Sequence, residues 1–195
     1  MEGSTGEPYV TGMIRSVVSD QEAFPLKDYR PPRKERSKHK DKLDHAEQCD
    51  QSCYLCLQRY GNQSYHGLLD WRLGLSFLET LARPGFSCGL DGDFDASPSL
   101  ADWPDLAHRY ATALITNYRS NGEVTKLGKL TAFRFDRSQD RWALVVHPLW
   151  DIENPMGILE DAIRQLGTPP EFSDTFELSR RQVSERERLR REWNR

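Results

Sequence analysis

Apolar residues at Leu68, Trp71, Leu75 and Leu78 recur at the three-and-four spacing of a helix face, and Leu69, Leu73, Phe77 and Leu81 widen the stripe. A helix this apolar needs cover on more than one side, and Pro84 with Gly85 ends it. A second helix is predicted from Asp102 as cap and Pro104 in the first turn. Leu106, Tyr110, Leu114 and Tyr118 repeat every four residues until Asn121 and Gly122 stop the pattern. Residues 130–135 and 142–146 read as two strands joined by Asp-Arg-Ser-Gln-Asp, an antiparallel hairpin. Asn154 and Pro155, then Ile158, Leu159, Ala162, Ile163 and Leu166, then Gly167, mark both ends of a third helix. The last segment, 179–193, is helix-compatible but has few apolar residues to bury, and residues 1–44 show no sustained period, with one short strand expected at 12–18. The pattern predicts an α+β fold: a cysteine knuckle leading into a helical core with a small antiparallel hairpin and a charged helical tail. The expected organisation is an arm over 1–44, a domain over 45–170 and a tail over 171–195.

Composition changes this picture mainly through charge. The 195 residues carry 27 Lys and Arg against 30 Asp and Glu, a net charge of −3, and 37% are hydrophobic, which excludes wholesale disorder. Residues 27–42 are net +5 and residues 179–195 net +4, leaving −12 on the rest of the chain. Basic segments flanking an acidic body are one mark of nucleic-acid contact, with Arg33, Lys34 and Arg36 as candidates. The longest apolar run, Trp142 to Val146, is far short of the roughly 20 residues that span a bilayer. Neither a transmembrane segment nor a secretory signal is read, so a cytoplasmic setting with reduced thiols is expected.

Cys49-x3-Cys53-x2-Cys56 is the strongest chemical signal, because three thiolates within eight residues can converge on one metal. Zinc wants a fourth ligand: His66, which is read as opening the long helix, then Cys88, His45 or a group from another chain. The same spacing occurs in iron–sulfur sites of radical enzymes, but Leu55 stands where an aromatic residue is usual and too little chain follows for a barrel. Around the knuckle, Tyr54, Arg59, Tyr60, Asn62, Gln63 and Tyr65 mix aromatic, amide and basic groups. Tyr54 and Tyr60 are expected to pack beneath the metal turn, with Arg59 the better nucleic-acid contact.

Residues 49–72, Cys-Asp-Gln-Ser-Cys-Tyr-Leu-Cys-Leu-Gln-Arg-Tyr-Gly-Asn-Gln-Ser-Tyr-His-Gly-Leu-Leu-Asp-Trp-Arg, resemble the MrfA-like zinc-binding domain found toward the C-terminal end of bacterial DEAD/DEAH-box helicases and in associated repair and defence proteins. His147-Pro-Leu-Trp150 is similar to the tail of such helicases. The resemblance implies a structural Zn2+ on Cys49, Cys53 and Cys56, a helicase or translocase partner, and DNA bound directly or through it. The chain has no G-x-x-x-x-G-K-[ST] loop and no Asp-Glu-Ala-His box, so it cannot by itself cradle ATP phosphates. The function expected is therefore a non-catalytic module or a C-terminal helicase fragment, the alternative being a metal- or iron–sulfur-dependent enzyme.

Three further motifs read as structural. Asp91-Gly-Asp-Phe-Asp95 opens like a calcium loop, but Ala96 replaces the glycine and Asp102 the final glutamate. His147-Pro-Leu-Trp-Asp151 is expected to be a corner with Trp150 buried. Glu123-Val-Thr-Lys126 lacks the order and spacing of a nuclease site.

Overall fold

The computed structural model describes residues 9–19, 49–54, 56–118 and 121–194. It is α+β, and its contacts divide the chain into two units: Met1–Phe86 with Ser97–Ser99, and Ser87–Ala96 with Leu100–Arg195. Among the described residues no helix is long and apolar enough to cross a membrane. Arg33, Lys34, Arg36 and His45 lie outside the described residues.

In the first unit, Tyr9–Ser19 forms helix α1, packed on helix α2, Trp71–Ala82. The strand expected at 12–18 is thus a helix. Val17 and Val18 favour strand, but Ile14, Val17 and Val18 also lie at helical spacing, and packing on α2 decides between the two. The long helix also starts later than expected. Asp70 is its cap, with Oδ1 accepting from the Leu73 amide at 3.0 Å. Residues Tyr60–Leu68 form a separate 3-10 segment instead, so His66 does not open α2. The stripe is not covered all round: Trp71 and Leu75 are buried, whereas Phe77 and Leu81 are about half exposed.

Behind Trp71 and Leu75, the same helix buries a polar group that its hydrophobic pattern does not announce. Ser76 Oγ lies 2.9 Å from Ser99 Oγ, which lies 2.8 Å from Ser97 Oγ, and all three hydroxyls are buried. Glu79, also buried, accepts from Arg83 at 3.0 Å, and burial raises its pKa above the ordinary carboxylate value.

The second unit is built on a four-stranded sheet in the order β1-β2-β3-β4. Strands β1 (Glu123–Leu127), β2 (Leu130–Arg134) and β3 (Ala143–Val146) form an antiparallel meander, with Ala132 opposite Leu144 and Phe133 opposite Ala143. The expected hairpin is there as β2–β3. Strand β1 was not foreseen, because Glu123-Val-Thr-Lys126 offers one apolar residue in four. Its charges are used locally, Glu123 receiving Arg134 at 2.6 Å and Lys126 meeting Asp105 at 3.0 Å.

Helix α3 (Trp103–Asn117) covers the sheet with Leu106, Ala107, Ala111 and Leu114, all buried. From β3 the chain passes through helix α4 (Gly157–Leu166) into β4 (Glu171–Asp174), which runs parallel to β3 as a β-α-β crossover. Gly157 starts α4 at φ +55, and a Cβ there would overlap the Leu90 carbonyl, which accepts from the Ile158 amide at 3.0 Å.

The C-terminal segment is more firmly packed than its composition suggests. Helices α5 (Thr175–Arg180) and α6 (Gln182–Trp193) bury Leu178, Leu189 and Trp193. Three arginines of the basic tail are engaged there: Arg180 lies over Phe176, Arg186 over Tyr118, and Arg188 binds Glu185 at 2.6 Å. Part of its +4 charge is therefore committed to the fold.

A candidate metal centre

The turn at 53–58 is set by one carbonyl. Cys53 O accepts from the Cys56 amide at 3.1 Å and the Gln58 amide at 3.0 Å, which folds the C-x2-C pair onto one side. Cys49 is brought in by the start of α2. Trp71 donates its indole Nε1 to Cys49 O and its amide to Gln51 O, both at 2.8 Å, while Arg72 Nε reaches Asp50 O at 3.1 Å. Three successive carbonyls of the first cysteine arm are thus held by two adjacent helix residues, and Trp71 and Leu75 form the floor beneath the sulfurs.

Cys56 Sγ lies 3.9 Å from Cys49 Sγ and 3.8 Å from Cys53 Sγ, and all three sulfurs are within 4.8 Å of one another. No disulfide links them. Ligands held about 2.3 Å from zinc at the corners of a tetrahedron are about 3.8 Å apart, so the spacing fits a shared cation. The Cys53 amide also donates to Cys56 Sγ at 3.1 Å, which fixes that sulfur on the inside of the turn. Burial, with the two neighbouring sulfurs, pushes the Cys49 thiol up from its ordinary value. Three close cysteines that can bind a metal ion are what the geometry provides. Among the described residues this is the one cluster of metal-ligating side chains at such spacing.

No family model, no curated protein and no solved structure matches this chain.

The other expected site residues are placed as follows. His66 is not in the three-sulfur group. Its Nε2 donates to Asn62 Oδ1 at 2.9 Å and Arg59 O at 3.0 Å, leaving Nδ1 as the nitrogen with a lone pair to offer a metal. Cys88 is buried in the second unit at φ 53, with its carbonyl accepting from Trp150 Nε1 at 3.1 Å. Arg59 turns its guanidinium back onto Tyr54 O at 3.2 Å and Gln58 O at 2.8 Å, bracing the loop while remaining exposed.

The tyrosines correct the expectation made for them. Tyr54 and Tyr60 do not pack beneath the metal turn: they are 62% and 86% exposed, and Tyr65 is 61% exposed. Trp71 takes the place beneath the sulfurs, a role the sequence signalled only by setting a tryptophan directly after the Asp70 cap.

The remaining motifs lie in the second unit. In the acidic loop Asp91 Oδ1 accepts from the Asp93 amide and Asp93 Oδ1 from the Asp95 amide, so these carboxylates hold turns. His147 and Trp150 are both buried, and Trp103 sits among Phe94, His147 and Trp150 with ring centroids 5.2 to 5.9 Å away.

Proposed function

We propose that this chain is a non-catalytic module whose three cysteines hold a structural zinc ion, and that it serves nucleic-acid transactions by binding DNA or docking a helicase or translocase. The observation that supports the metal is the sulfur spacing, which matches the edges of a thiolate tetrahedron and is far too long for a disulfide. Cys49, Cys53 and Cys56 are the ligands, with His66, Cys88, His45 or a group from another chain in the fourth place. Zinc suits this donor set because soft thiolates favour it and no redox change is required. The partner and nucleic-acid parts of the reading rest on the resemblance of residues 49–72 to the helicase-associated domain and on the two basic segments.

Reductively purified protein is expected to carry one zinc per chain by elemental analysis and to show no visible charge-transfer absorption. A brown, absorbing protein would instead support the cluster enzyme. Single substitutions His66→Ala, His45→Ala and Cys88→Ala identify the fourth ligand by which one lowers the metal content. DNA affinity is expected to fall with salt at a slope of about 0.9 per neutralised phosphate in log-log form. Deleting residues 27–42 should flatten that slope, and an unchanged slope assigns the phosphate contacts elsewhere.

A further inference from the structure

The segment around the knuckle leaves three aromatic rings largely in solvent. Tyr54, Tyr60 and Tyr65 fall within twelve residues and are each more than 60% exposed, while Trp71 beside them is 5% exposed. Their backbone is held from several sides. The Asn62 side chain accepts from the Arg59 amide at 2.7 Å and donates to Leu57 O at 3.0 Å, and His66 Nε2 donates to the same Asn62. Tyr54 meets His66 edge-on at 5.4 Å, which sets it against the segment that carries Tyr60 and Tyr65. The rings are therefore presented from a braced scaffold, and ordering it on binding costs little.

The charge around these rings is equally unusual for this chain. Residues 51–69 contain no Asp or Glu, although the whole chain has 30, and they carry Arg59, Gln63 and Ser64 among the tyrosines. The net +5 segment 27–42 ends seven residues before Cys49. A stretch without carboxylates suits an anionic partner, and exposed aromatic rings suit one that offers unstacked bases. Duplex DNA keeps its bases stacked inside, out of reach of tyrosine faces, and no described helix or strand of this unit carries a row of basic side chains to enter a groove. Single strands offer bases that stack on aromatic rings without regard to sequence.

We propose that the exposed tyrosines of the knuckle, Tyr54, Tyr60 and Tyr65, form a stacking platform for single-stranded nucleic acid, with Arg59 and the neighbouring amide and hydroxyl groups contacting its backbone. This rests on the nucleic-acid reading above and names the strand form that reading takes.

The test uses the full chain as purified with its metal, a fluorescently labelled oligothymidine of about 15 nucleotides and a duplex of equal length, both at low salt. Anisotropy titration should show preference for the single strand. Tyr60→Ala and Tyr65→Ala should each weaken single-strand binding by about 5- to 150-fold, the range for losing one stacked base. Tyr60→Phe should keep the affinity, because stacking needs the ring and not the hydroxyl. Equal binding of single strand and duplex, unchanged by the alanine variants, overturns the platform and leaves the nucleic-acid reading standing. Binding of neither form overturns both. A Tyr60→Phe variant as weak as Tyr60→Ala overturns stacking, and loss of zinc in Tyr60→Ala overturns the assignment of that ring to the surface.

Discussion

Cys53→Ser protein, purified under reducing conditions, will contain no zinc and will lose amide protection across residues 49–86. Cys56→Ser will behave in the same way. The argument is one of size. The buried apolar cluster around the sulfurs consists of Cys49, Trp71 and Leu75, with Cys53 and Cys56 partly buried against it, and the 3-10 segment at 60–68 buries no residue. A core this small does not order a loop of some twenty residues unaided. Structural zinc sites contribute on the order of 10 kcal/mol to folding, larger than any single side-chain contact in the unit. Losing one of three thiolates removes most of that term. The burial that pushes the Cys49 thiol up remains in either variant. Elemental analysis and hydrogen exchange read the outcome. Full zinc retention in both variants, or metal-free wild-type protein with unchanged protection, would sink the metal assignment.

The parts of this molecule that were legible in the sequence are those where a periodic apolar pattern meets a punctuation signal. Helix α3 follows Asp102 and Pro104, α4 ends at Gly167 in the left-handed region, and the β2–β3 hairpin alternates around a turn-rich connection. The cysteine spacing likewise announced a metal-sized cluster, since three thiolates so close in sequence have few other ways to be used. Strand β4 was not legible because its four residues, Glu-Phe-Ser-Asp, owe their conformation to pairing with β3 and not to propensity. Helix α1 runs against its local pattern, because β-branched valines favour strand and its packing on α2 is a tertiary contact invisible in the sequence. The tyrosines were misplaced for a different reason. An aromatic residue next to a metal turn is ordinarily its floor, but here Trp71 arrives from a helix twenty-two residues after Cys49 and fills that position through its indole bond. Tyr54 and Tyr60 lie at the surface instead.

Acidification will destabilise the second unit through His147. This histidine follows β3, is 3% exposed and sits beside Trp103 and Trp150, with Nδ1 accepting from the Leu149 amide at 3.2 Å. Burial holds its pKa down to about 4 against 6.5 for the free side chain. The unfolded chain therefore takes up the proton more readily than the folded one. Stability from this group is fully present above pH 6.5 and is lost as pH falls from there toward 4, below which both states are protonated and the loss levels off. At 1.36 kcal/mol per pKa unit the full effect is about 3 kcal/mol, of which about 2 kcal/mol is gone by pH 5. Asp174, in the same unit, works the other way, because burial raises its pKa and protonation relieves it. His147→Asn separates the two, since an amide oxygen can still accept from Leu149 but does not titrate. Denaturant unfolding at pH 7.5 and pH 5, followed by tryptophan fluorescence from Trp103 and Trp150, should show a large stability loss in the wild type and a much smaller one in His147→Asn. Equal losses in the two proteins would mean that His147 is protonated in the folded state well above pH 4, and that water reaches the Trp103 cluster.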